Sequence, residues 1–140
     1  MKKYGAIAAF GVVGAWLRYG IRSGPLIHWQ GLLPVNTLFI NVMGSLLLAF
    51  LLTITLRAVK IDAALRLGLT TGFCGAFTTF STFCKEVVTL GEGQHWMTAL
   101  VYLVLSLALG LLGTYMGVVL ARLLERQMIH TLERKQGVRE

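Results

Sequence analysis

GQHWMTALVYLVLSLALGLLGTYMGVVLA, residues Gly93–Ala121, runs without an Asp, Glu, Lys or Arg. A bilayer core about 30 Å thick takes about 20 helical residues to cross, so this stretch has the length and chemistry of a membrane span. Three further windows, Tyr4–Leu17, Ser23–Leu56 and Leu67–Cys84, are also free of those charges. Over all 140 residues, 56% are hydrophobic and 14% charged, with a mean hydropathy of +0.72. Soluble domains carry roughly 25% charged residues, so a water-soluble core is excluded as the natural home of this chain.

Extending each window where needed predicts an all-α membrane protein, residues 1–140 forming a single transmembrane domain with spans at about 4–22, 35–57, 62–86 and 96–122. Met1-Lys2-Lys3 before an apolar run invites a secretory-signal reading. The one small-residue pattern, Ala6-Ile7-Ala8, comes too early for cleavage, so an uncleaved first helix is expected. Ser23-Gly24-Pro25, Gly31 to Pro34, the basic turn Arg57 to Arg66 and Gly91-Glu92-Gly93 punctuate the joins. Tyr4, Trp16, Tyr19, Trp29 and Trp96 fall near span ends, where amphipathic rings settle. The polar tail 123–140 is expected to continue the fourth helix, with Leu124, Met128 and Leu132 as a packing stripe.

A net charge of +7 could suggest a nucleic-acid partner, but the basic residues sit at helix ends and in the tail with no soluble module to present them. Membrane lipid explains them, and no nucleic-acid partner is expected. Ten Lys and Arg share the face of the termini against three (Arg18, Arg22, Lys85) opposite, which by itself places both termini in the cytoplasm. Cys74 and Cys84 read as small buried hydrophobes. His28, His95 and His130 lie in loops or the tail, away from any carboxylate at membrane depth. With no nucleophile, base and orienter together, the chain is not expected to be an enzyme.

Polar residues inside the spans carry the functional reading. Gly44 on the second span and Gly110, Gly113 and Gly117 on the fourth have the spacing that lets helices approach closely. Asn41, in mid-span, could glue helices or offer its NH2 to an anion. Thr70 to Phe83 reads TTGFCGAFTTFSTF, too rich in hydroxyls and glycine for an uninterrupted lipid-facing helix. A break is expected near Gly75 to Phe77, because broken membrane helices free backbone groups that bind ions. Beyond it Phe80 and Phe83 share a face one turn apart, with Ser81 and Thr82 as adjacent donors. The alternative is aromatic packing with hydroxyls bonded back to their own helix.

This third segment resembles the signature of the Fluc or CrcB fluoride channels, Gly-x-x-Thr-Thr-Phe-Ser-Thr-Phe. Gly11 to Tyr19 (GVVGAWLRY) is similar to the family's first-helix pattern, and Asn36 to Ser45 (NTLFINVMGS) to its second. Val12, Asn36 and Ala76 stand where that family usually has glycine, and Leu46 where it often has an aromatic residue. The resemblance implies four transmembrane helices per subunit, the third broken near its middle, in an antiparallel, dual-topology homodimer with two fluoride pores. It therefore requires both orientations, against the single one that the charge bias indicates.

The resemblance also implies roles. Asn41 would donate an amide N–H to fluoride, and Phe80 and Phe83 would present their electropositive ring edges. Ser81, Thr82 and Thr114 would continue the path as a polar track. The Gly75 and Thr78 carbonyls of both subunits would hold a structural sodium ion at the dimer centre. Transport would be passive efflux through a bacterial inner membrane, protecting the cell from fluoride. The competing readings are a small four-helix proton-coupled multidrug exporter, which needs an intramembrane carboxylate, and a non-transporting assembly subunit.

Overall fold

Apolar runs of this length close their backbone hydrogen bonds within themselves, and among the described residues there is no strand. The computed structural model describes residues 2–23 and 31–137. Along the chain, α1 is Lys2–Ser23, α2 Val35–Arg57, α3 Ala63–Leu67, then a π-helical stretch Gly68–Cys74, α4 Gly75–Phe77, α5 Phe80–Glu92 and α6 Trp96–Gly137. The turn at Gly24-Pro25, His28, the anchor at Trp29 and the side chains of His130 and Leu132 lie outside the described residues.

Helix α2 has the bounds expected of it, starting directly after Pro34. Helix α6 continues through the polar tail for 42 residues, about 63 Å at 1.5 Å per residue, roughly twice a bilayer core. It is thus longer than one crossing requires. Lys2–Ser23, Val35–Arg57 and Trp96–Ile129 are each long and apolar enough to cross. The fourth expected segment is the broken one, and it reaches Glu92 rather than ending at 86.

The break itself falls later than expected. Helical backbone persists through Gly75, Ala76 and Phe77, and the chain turns extended at Thr78 (φ −75°, ψ 163°) and Thr79 (φ −147°, ψ 119°). Gly72 serves packing instead. A Cβ on Gly72 would press on the backbone of Ile7, and one on Gly14 would overlap the Phe73 carbonyl, so α1 rests directly against the widened π-helical turn. Likewise α6 lies close on α2, where a Cβ on Gly113 would come within 2.9 Å of the Val42 carbonyl and one on Gly117 would overlap that of Leu46.

Leu38, Leu90, Ala99 and Tyr102 form the small core shared by α2, α5 and α6, with Phe83 and Val42 packed against it. Most other large apolar side chains, including Leu107, Leu111 and Tyr115, face outward, as expected of a surface solvated by lipid or another chain. Tyr4, Trp16, Tyr19 and Trp96 are exposed near helix ends. Cys74 is buried as expected, whereas Cys84 is exposed, its face of α5 uncovered by the described residues.

Candidate functional site

Three helices meet at the break. Asn41 on α2 faces it and pairs with the backbone N–H and C=O of Thr79 as one strand pairs with another. Its Nδ2 donates to the Thr79 carbonyl at 3.0 Å, and its Oδ1 accepts from the Thr79 N–H at 2.9 Å. Asn41 is therefore glue between α2 and the broken segment. A primary amide has two N–H groups, so one hydrogen remains to be donated elsewhere.

Beyond the break, Thr79 caps α5, its hydroxyl accepting from the Thr82 N–H at 3.2 Å. That hydroxyl donates in turn to Thr82 Oγ1 at 3.0 Å, which also accepts from Arg22 Nη1 at 3.3 Å. Thr82 thus receives two hydrogen bonds and keeps its own hydrogen free. Ser81 is exposed, with its Oγ 3.5 Å from Thr79 Oγ1.

These diversions liberate two carbonyls. In a continuous helix the Gly75 carbonyl would accept from Thr79 N–H, which here goes to Asn41, and the Thr78 carbonyl would accept from Thr82 N–H, which here goes to Thr79 Oγ1. The oxygens named by the resemblance as sodium ligands are the ones the break releases. They are neutral, hard donors, a chemistry that fits a hard cation. The space where a Gly75 Cβ would point is open, while the Thr78 oxygen already accepts from Arg18 Nη1 at 3.3 Å. A groove of about 290 Å³ runs along this face, lined by Asn41, Ser45, Gly75, Thr78, Thr79 and Phe80 among others.

The aromatic pair sits together as its spacing predicts. The Phe80 and Phe83 rings have centroids 6.1 Å apart at 34°, and Phe83 continues to Tyr102 at 5.1 Å and 56°. Tilted rings leave edges, where the quadrupole is positive, turned toward neighbouring space. Phe80 is 78% exposed and Phe83 is half-buried. Thr114 does not join them within one chain: it is exposed on α6, bonds back to the Gly110 carbonyl at 3.0 Å and is absent from the groove lining.

One carboxylate that the sequence reading left out of the site is Glu86. Treated as the last residue of a span, it instead lies midway along α5 and is half-buried. Thr37 Oγ1 donates to its Oε1 and Tyr102 OH to its Oε2, each at 2.8 Å. Tyr102 is fully buried. Ser106, one turn further along α6, has a buried hydroxyl oxygen with no partner among the described residues. A pattern was available in the sequence: Thr37, Asn41 and Ser45 stand one turn apart on α2, and Glu86 follows Phe83 by three on α5.

Comparison with known proteins gives matches along most of the chain. Residues 5–118 match the family model described as CrcB-like protein, Camphor Resistance (CrcB). A fluoride-specific ion channel FluC 1 of Moorella thermoacetica is 46% identical over 117 residues, 84% of each chain. Fluoride-specific ion channels FluC of Geobacter sulfurreducens (41%, 84% of this chain and 94% of the relative) and of Sulfurihydrogenibium (37%, 89% and 100%) are similar.

Proposed function

From the premise that this chain belongs to the CrcB family, we infer that it is a fluoride-specific channel, an ion-conducting membrane protein and not an enzyme. The observation that carries the mechanism is the Asn41–Thr79 pair, which fixes the break beside Phe80 and Phe83 and leaves one amide N–H free. Fluoride holds its water tightly, so a pore must replace that shell with donors that release the ion again. The remaining Asn41 N–H, the Thr82 and Ser81 hydroxyls and the ring edges of Phe80 and Phe83 would form such a series of moderate donors.

The broken segment would be the fourth crossing, and two oppositely inserted copies would cover each other's grooves. Thr114 would then be supplied across the interface rather than within one chain. A sodium ion, when bound, would supply fixed positive charge at the centre, held by the Gly75 and Thr78 carbonyls of both copies. Efflux through a bacterial inner membrane would be driven by the membrane potential, without ATP. A proton-coupled exporter now has a carboxylate available in Glu86, but both of its oxygens are taken by Thr37 and Tyr102, and the relatives are fluoride channels.

Fluoride efflux from liposomes containing the purified protein tests this reading, with a potassium ionophore to balance charge and chloride efflux as the control. Rapid fluoride release with chloride retained is expected. Folded protein that releases neither ion would turn the reading toward an assembly subunit, and equal release of both would remove selectivity.

A further inference from the structure

Arg18 brings a fixed positive charge to the oxygen a cation would need. Its Nη1 donates to the Thr78 carbonyl at 3.3 Å from a half-buried position on α1. The ion pair found among the described residues joins Arg57, at the end of α2, to Glu125 on α6, and among those residues no carboxylate pairs with Arg18. The Thr78 oxygen has lost its helical donor, because the Thr82 N–H goes to Thr79 Oγ1, so among the described residues the guanidinium is its one hydrogen-bond partner. A carbonyl oxygen has two lone pairs, so it could serve Arg18 and a cation together.

Sharing carries an electrostatic cost. A sodium ion on that oxygen would lie a few ångströms from the guanidinium, and like charges so close repel appreciably when partly shielded from water. In a two-copy site the ion would meet an arginine from each side. Resting on the sodium reading above, we propose that Arg18 is a positioning residue that acts as a tethered cation, holding the Thr78 carbonyl while keeping sodium binding weak enough for the site to depend on the ion concentration.

The test compares wild type, Arg18→Gln and Arg18→Lys in detergent, with melting temperature followed as sodium replaces N-methylglucamine at constant ionic strength. Glutamine keeps an N–H donor but removes the charge, whereas lysine keeps the charge. The half-saturating sodium concentration should fall about tenfold in Arg18→Gln, equivalent to about 1.4 kcal/mol, and stay near wild type in Arg18→Lys. An unchanged value in Arg18→Gln beside a sodium-responsive wild type overturns the proposal and leaves the sodium reading standing. A fall of the same size in Arg18→Lys overturns it too, because charge is then not the agent. No sodium response in any of the three overturns both readings. Arg18→Gln that stays unfolded even in saturating sodium overturns the proposal by making Arg18 a structural residue.

Discussion

Replacing Asn41 with aspartate keeps the side chain's shape and exchanges one NH2 for an oxygen. The bond from Thr79 N–H to Oδ1, 2.9 Å in wild type, is retained and becomes charge-assisted. The other half of the pair is reversed: an anionic oxygen faces the Thr79 carbonyl across 3.0 Å where a donor stood. Losing that bond and leaving the carbonyl opposed costs about 1–3 kcal/mol. The larger effect falls on the anion. A fluoride within hydrogen-bonding reach would sit about 4 Å from the new charge, which at an effective dielectric near 20 costs about 4 kcal/mol. That is nearly a thousandfold in occupancy at about 1.4 kcal/mol per decade. Fluoride efflux from liposomes, normalised to protein that elutes as a single folded species, should therefore fall close to background. A protonated carboxyl offers an O–H donor in place of the lost N–H, so residual flux should decline as pH rises and the group ionises. Flux indistinguishable from wild type in both mildly acidic and alkaline buffer would refute direct donation by Asn41, leaving it a structural clasp alone.

Phe80→Ile and Phe83→Ile should both lower fluoride efflux, since apolar volume is nearly kept while the ring edges vanish; normal flux in both would remove the aromatic account. They should differ in stability, because Phe83 packs on Tyr102 at 5.1 Å whereas Phe80 is 78% exposed within the chain. Both lose the Phe80–Phe83 ring pair, and Phe83→Ile should lose about 0.5–1.5 kcal/mol more for the Tyr102 pair, read as a lower melting temperature in detergent. Tyr102→Phe keeps the ring and deletes the 2.8 Å bond to Glu86, so it should destabilise by about 1.5–3 kcal/mol as a hydrogen bond to a charged group; unchanged melting would show that Glu86 finds another donor. Gly117→Val should prevent recovery of a monodisperse protein, because its Cβ would meet the Leu46 carbonyl and, at 3.0 Å, the Phe50 nitrogen, backbone that cannot yield as a side chain can.

The parts of the fold that follow from solvation alone were legible in the sequence. Charge-free windows marked α1, α2 and α6, and the length of α2 followed from Pro34 and Arg57 at its ends. The break was legible in kind but not in place, because its position depends on a competition between distant groups. Thr79 leaves the helix where Asn41, 38 residues earlier, captures its peptide, and no local propensity reports that. The same reason hid Glu86. A glutamate one residue after Lys85 reads as the watery end of a span, and only tertiary structure brings the hydroxyls of Thr37 and Tyr102 to it. Phe80 and Phe83, whose relation is local and helical, were read correctly from spacing. Thr114 was placed by resemblance, and a single chain does not bring it to the others.

The protomer as it stands presents a surface that hydrocarbon cannot solvate. Along the groove lie the freed carbonyl of Gly75, the shared carbonyl of Thr78, the Asn41 amide and the Ser45 hydroxyl. An unsatisfied backbone group in lipid costs several kcal/mol, so this face requires water, ions or protein against it. Water alone would explain the polar groups but not Phe80, a large ring exposed at the groove's edge. A second copy, inserted the other way up as the proposed dimer requires, meets both demands, since each polar face would cover its equivalent and each ring would gain a neighbour. The polar groups that lipid would solvate poorly on one chain are the ones that, in the proposed dimer, would line a pore in two.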